Sequence, residues 1–250
     1  MDDHPDLDRE PVPGIDRRTI RDEVVVVLML SFLGSAVYAI IDLLSAPVAG
    51  VYVAAADQSS LLAKQIAGVV FGLAPVLLVL HLVRRSGEGS RGIGLDGDRP
   101  AQDLGRGVLL FAVVGTLGVG VYLLSVWLGA NRFVVPVPPL HHWWTVPALL
   151  LNAAEAALKE EVIVVAYLVT RLRQLGWSNR RSVAASGLLR GSYHLYQGFG
   201  GFTGNLAMGL LFAWMFTRTR RAWPFVVAHF LLDVGAGVGF LLFRKHLPGF

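Results

Sequence analysis

From Gly107 to Gly129 the chain runs without one charged side chain, longer than the ~20 residues an α-helix needs to cross a hydrocarbon core. Within lipid every backbone N–H and C=O has to find its partner inside the protein, which leaves helices and closed barrels. Six further apolar stretches accompany this one, at about residues 24–46, 61–83, 146–170, 182–197, 205–217 and 223–243. The expected fold is therefore all-α, a polytopic membrane protein of about seven transmembrane helices, with Pro75 kinking the second. A hydrophobic share of 54 % against 16 % charged leaves little from which to build a soluble domain.

Residues 1–22 are polar, carry Pro5, Pro11 and Pro13, and lack the apolar stretch of a cleavable signal peptide. They read as a tail that closes with a short interfacial helix over Asp16–Glu23. The chain then divides into three helices over 23–129, joined by a loop at 84–106, and a helical core over 145–243. There are no cysteines, which excludes disulfides, thiolate metal sites and a cysteine nucleophile. The 28 glycines suit close helix packing in lipid.

Arginine orients the stack. The tail carries Arg9, Arg17, Arg18 and Arg21, and the 84–106 loop carries Arg84, Arg85, Arg91, Arg99 and Arg106. Arg171, Arg173, Arg180 and Arg181 follow the fourth segment, and Arg218, Arg220 and Arg221 follow the sixth. If seven helices alternate, all of these fall on one side, whereas the other side receives only Arg132, Arg244 and Lys245. The positive-inside rule makes the arginine side, and with it the N-terminus, cytoplasmic. This basic balance is a topology signal, and no nucleic-acid partner is expected; the lipid bilayer is. Arginine and valine usage points to a bacterial source, and so to the cell membrane.

Several polar groups inside or beside the helices have structural explanations. Asp42 and Lys64 lie near the outer ends of neighbouring helices, where an ion pair or snorkelling accounts for them. His141, His142, Trp143 and Trp144 read as an interfacial aromatic belt rather than a metal site. The last four helices are different. Lys159-Glu160-Glu161 sits inside an apolar run, the fifth segment carries Arg190 and His194, and the seventh carries His229 and Asp233. At ~1.5 Å per residue from the arginine-rich helix ends, Glu160 lies roughly 16 Å deep, His194 roughly 18 Å, and His229 and Asp233 roughly 10 and 16 Å. Separate helices thus bring carboxylates and imidazoles into one slab of the membrane. Ionisable groups there are costly, and their default meaning is function. His229 and Asp233, four residues apart, share a helical face. Glu160 continues a face through Ala153, Ala157, Val164 and Tyr167.

A carboxylate beside a histidine can deprotonate water and return the proton to a leaving amine. A second histidine with a polar neighbour can hold the developing oxyanion. The alternative is a zinc site with Glu160, His194 and His229 as ligands and an open position for water. Spacing does not separate the two.

These residues resemble the CPBP intramembrane proteases, the CAAX-protease and bacteriocin-processing family related to the Ras-converting enzyme. That family shows Glu-Glu-x-x-x-Arg, then Phe-x-x-x-His, then a histidine followed four residues later by Asn, Asp or similar. Glu160-Glu161 matches the first motif, His194 the second, and His229-Phe230-Leu231-Leu232-Asp233 the third. The resemblance covers about residues 145–240. It implies Glu160 as the base activating water, His194 assisting, Glu161 as a supporting carboxylate, and His229 with Asp233 on the oxyanion side. It also implies a peptide or membrane-protein substrate and favours a mechanism without a metal cofactor, zinc being the alternative. Two positions depart from the pattern. Val165 stands where the motif arginine would be, and Arg190 where the phenylalanine would be. The expectation is a swap, with Arg190 of the fifth helix supplying the guanidinium for Glu161 that the fourth helix lacks. Competing readings from other classes are a non-catalytic membrane scaffold or immunity-type protein and a proton-coupled transporter, although no internal repeat of the transporter kind is evident.

Overall fold

A computed structural model describes residues 15–45, 51–53, 62–135 and 143–243. The first helix, α1 (Arg17–Leu28), opens at Asp16, whose Oδ1 accepts from Thr19 N at 2.7 Å. That N–H holds the Asp16 carboxyl below its ordinary range. The chain passes through a π-helical turn, Met29–Leu33, into α2 (Gly34–Ser45) without a break. The interfacial helix expected over Asp16–Glu23 is therefore the first part of the first span, because the cap at Asp16 feeds straight into the apolar run.

Next come α3 (Leu62–Gly72) and α4 (Ala74–Arg85), interrupted at Leu73 with a proline at the start of α4. That proline is Pro75, the position at which a kink was expected. A single turn, α5 (Gly89–Gly92), leads to α6 (Pro100–Trp127). This helix starts at Pro100 and not near 107, since proline at the first helical position is pre-set for a helix start. The fold is not purely helical: β1 (Val51–Val53) pairs in parallel with β2 (Phe133–Val135).

The central element runs unbroken from α7 (Thr145–Glu160) through a π-helical stretch, Glu161–Tyr167, into α8 (Leu168–Gln174). Val162 to Val169 are 0–3 % exposed, as befits a helix apolar on every side and surrounded by others. Around it stand α9 (Asn179–Tyr193), α10 (Phe199–Thr219) and α11 (Trp223–Phe243). The expected segments 182–197 and 205–217 are corrected by this. The helix ends at Tyr193, a 3-10 turn spans Leu195–Gln197, and α10 already begins at Phe199.

Five helical stretches among the described residues are long and apolar enough to cross a membrane: Arg17–Ile41, Ile66–Arg85, Pro100–Trp127, Phe199–Thr219 and Trp223–Leu242. The chain is a multi-pass membrane protein. The central helix is long enough but falls outside this set because Glu155, Lys159, Glu160 and Glu161 interrupt its apolar character, and α9 has only 15 residues.

The arginine-rich segments meet at one end of the bundle. Arg171 donates to Glu88 and to Gln174 Oε1, and Arg85 pairs with Glu23. Arg220, in the left-handed region at φ 52°, reaches Gly92 O at 2.9 Å and Thr170 Oγ1 at 3.1 Å. Arg221 Nε donates to Asp103 Oδ1 at 2.6 Å, and its Nη1 lies 3.0 Å from Asp96. Asp42, Lys64, Arg9, His141 and His142 lie outside the residues and side chains described; Trp143 is 84 % exposed.

Candidate active site

Glu160 is the last α-helical residue of α7, and Glu161 opens the π-helical stretch. Such a stretch carries more backbone per turn and leaves a carbonyl to be satisfied from outside; π-bulges of this type gather at functional sites. Here Ser186 of α9 supplies the donor, its Oγ bonding Val164 O at 2.7 Å. The widened turn is thereby tied to the helix that carries Arg190 and Tyr193.

Arg190 is fully buried, its Cζ 5.7 Å from the ring centroid of Phe212 on α10. Room for its stem comes from Gly209: a Cβ there would stand 3.1 Å from Arg190 Cδ and 3.0 Å from Gly187 Cα. Arg190 Nη2 donates to Glu161 Oε1 and to Glu160 Oε2 at 3.1 Å. The arginine expected to serve Glu161 thus engages both carboxylates. Val165, in the motif arginine's position, is wholly buried among apolar neighbours.

Tyr193 OH adds a second donor to Glu160 Oε2 at 2.8 Å, and its ring stacks on Phe32 at 4.6 Å between centroids. With both donors on Oε2 and no donor on Oε1 among the described residues, Oε1 is the oxygen open to a proton. His194 closes α9, its Nδ1 3.0 Å from Arg190 O. A carbonyl only accepts, so Nδ1 carries the proton and Nε2 is the free nitrogen. No hydrogen bond joins His194 to Glu160 among the described residues.

His229 Nδ1 stands 2.7 Å from Glu161 Oε1 and 3.3 Å from Arg190 Nη2. The guanidinium cannot accept, so Nδ1–H donates to the carboxylate and the Arg190 contact is one of adjacency. Nε2 faces Asp233 Oδ2 at 3.7 Å, an ion-pair distance beyond hydrogen bonding; the Asp233 side chain is 41 % exposed. Glu161 Oε2 and Arg190 Nε and Nη1 are buried without hydrogen-bond partners among the described residues.

The structure therefore brings Glu160, Glu161, Arg190 and His229 into one cluster, sets Asp233 at its edge, and leaves His194 beside it through Arg190 and Tyr193. Tyr193, Ser186, Phe212 and Gly209 were not anticipated. Tyr193 carried one signal, a hydroxyl three residues after Arg190 and directly before His194. Among the described residues no three of His, Cys, Asp and Glu are grouped as metal ligands. The zinc set of Glu160, His194 and His229 fits poorly because a guanidinium already stands between two of its members.

A family model described as Rce1-like, type II CAAX prenyl endopeptidase Rce1-like, matches residues 142–235. Over this stretch the chain is similar to that family. The matched interval holds Glu160, Glu161, Arg190, His194, His229 and Asp233, that is, every residue of the cluster and its margin. No curated protein and no solved structure matches the chain.

Proposed function

We propose that the protein is an intramembrane endopeptidase that hydrolyses a peptide bond in a membrane-associated peptide or protein, and that it does so without a metal. The observation that carries this is the placement of Glu160, with two donors on Oε2 and Oε1 left free. Glu160 Oε1 takes a proton from water, assisted by Nε2 of His194, and the oxygen attacks the scissile carbonyl. His229, donating through Nδ1 to Glu161, presents an Nε2–H to the developing oxyanion, with Asp233 orienting it. The proton on Glu160 then passes to the leaving amine. Arg190 replaces the motif arginine and holds both carboxylates in place. The arginine-rich end faces the cytoplasm, which puts cleavage within reach of tails entering from that side of the cell membrane.

The competing reading is a membrane scaffold, and it rests on the same guanidinium, which would then be a neutralising partner and nothing more. The two part on Glu160→Gln. Cleavage of a quenched peptide library by purified protein is expected to fall by about 10²–10⁴-fold, the usual share of a general base. Thermal stability is retained and a chelator has no effect. Wild type without cleavage, or a variant that still cleaves, overturns the protease reading, and loss on chelation overturns the metal-free one.

A further inference from the structure

Where α1 leaves the arginine-rich end of the bundle, a groove of about 420 Å³ opens between it and the α8–α9 turn. Arg17, Arg18 and Arg21 rim it, and Leu172, Leu175 and Trp177 form its far wall. Among the described residues no carboxylate lines it. Asp22, beside Arg21 on α1, is 58 % exposed and shared between Arg18 at 4.0 Å and Arg21 at 3.2 Å, so it offsets little of the positive charge. Arg173 fixes the wall by donating to Trp177 O at 2.6 Å.

The same face of α1 changes character along its length. Arg18 and Arg21 are followed at helical spacing by Val25, which also lines the groove, and then by Met29, whose N–H bonds Val25 O. Val25 is 49 % and Met29 62 % exposed. A cationic site thus runs into an apolar track roughly 12 Å long, from Arg21 to Met29 at 1.5 Å per residue. Both belong to a helix long and apolar enough to cross a membrane.

We propose that this groove is a binding site for an anionic phospholipid, with the phosphate and headgroup on the three arginines and an acyl chain along Val25 and Met29. A soluble anion would use the arginines and ignore the apolar track. A zwitterionic lipid would use the track without rewarding three cations. Basic pockets beside membrane helices take anionic headgroups for this reason. The bound lipid bridges α1 to α8, which is continuous with the helix bearing Glu160 and Glu161, so binding stabilises the fold by mass action.

The test uses purified, delipidated protein in neutral detergent, with melting temperature followed against added dioctanoyl phosphatidylglycerol, dioctanoyl phosphatidylcholine or glycerol phosphate. Phosphatidylglycerol alone is expected to raise the melting temperature. The triple variant Arg17→Gln, Arg18→Gln, Arg21→Gln needs more than about tenfold more of it, while Arg→Lys at all three positions keeps most of the response. An equal shift with phosphatidylcholine, a shift with glycerol phosphate, or an unaltered titration in the triple glutamine variant overturns the proposal. Should the glutamine variant not fold, Met29→Ser, which keeps the charges and interrupts the track, gives the same reading through a weaker response. None of these residues belongs to the proposed active site, so peptide cleavage is read separately.

Discussion

Tyr193 OH donates to Glu160 Oε2 at 2.8 Å, placing a phenol from α9 on the carboxylate that ends α7. Tyr193→Phe removes that donor and keeps the ring stacked on Phe32. The expected result is a loss of about 1.5–3 kcal/mol of stability, the usual net worth of a hydrogen bond to a charged group. Cleavage falls by about tenfold, the equivalent of 1.4 kcal/mol at the barrier. Kinetics and thermal melts on the same preparation check both.

Arg190 holds two buried carboxylates at once. Removing one partner of a buried ion pair leaves the other charge uncompensated, at a cost of about 3–5 kcal/mol. Arg190→Phe is therefore expected to lower the melting temperature sharply and to abolish cleavage. Adding Val165→Arg restores a guanidinium one turn from Glu161 and recovers part of both. Equal behaviour of the single and double variants would sink the idea that Arg190 substitutes for the motif arginine.

Gly209 gives Arg190 its room. Gly209→Ala sets a Cβ 3.1 Å from Arg190 Cδ and 3.0 Å from Gly187 Cα, closer than ordinary contact, so α9 and α10 have to part slightly. Overpacking of this kind costs about 1–3 kcal/mol, and cleavage should drop further than stability alone accounts for. Gly204 on the same helix has open space around it, and Gly204→Ala serves as the neutral control.

The arginine-rich end carries its own pH dependence. The Asp98 N–H, 3.1 Å from Asp96 Oδ1, together with Arg221, holds the Asp96 carboxyl below its ordinary range. A depressed carboxylate contributes stability above the unfolded value of about 3.9, and that contribution is lost as pH falls through the folded value. Asp96→Asn is thus less stable than wild type at neutral pH, and the gap closes as pH drops below about 4. Melts of both proteins from pH 7 downward test this.

Much of the cluster was legible in the residues because ionisable groups are costly in lipid. Glu160, Glu161, Arg190, His229 and Asp233 could be picked out one by one, and matching their depths joined their helices. The Arg190–Glu161 pairing was legible because Val165 leaves the fourth helix without a guanidinium and Arg190 stands one turn before His194. What stayed hidden has physical reasons. The π-helical stretch is invisible to periodicity, since Val162 to Tyr167 are apolar on every face and a shift in phase changes nothing in the pattern. His194 was placed inside a longer helix because the apolar residues run on beyond Tyr193. The glycine-rich start of α10, Phe199-Gly200-Gly201, falls outside the expected segment 205–217, yet close packing calls for glycine there: a Cβ on Gly200 would stand 2.4 Å from Ser125 Cβ and one on Gly201 2.5 Å from Gln197 Cβ. Tyr193 passed unnoticed because a tyrosine in an apolar segment needs no explanation until its hydroxyl is placed.

The π-helical stretch acts as a phase adjuster. One extra residue turns everything beyond it by about 100° relative to a regular helix. The half ending at Glu160 faces Arg190 and Tyr193, while the half after Tyr167 aims Arg171 at Glu88. One rod thus serves two polar addresses, the carboxylate cluster held by Arg190 and an anchoring one at the arginine-rich end. Deleting a single residue between Glu161 and Tyr167 would leave the apolar sequence looking intact, and would force the chain to choose between them.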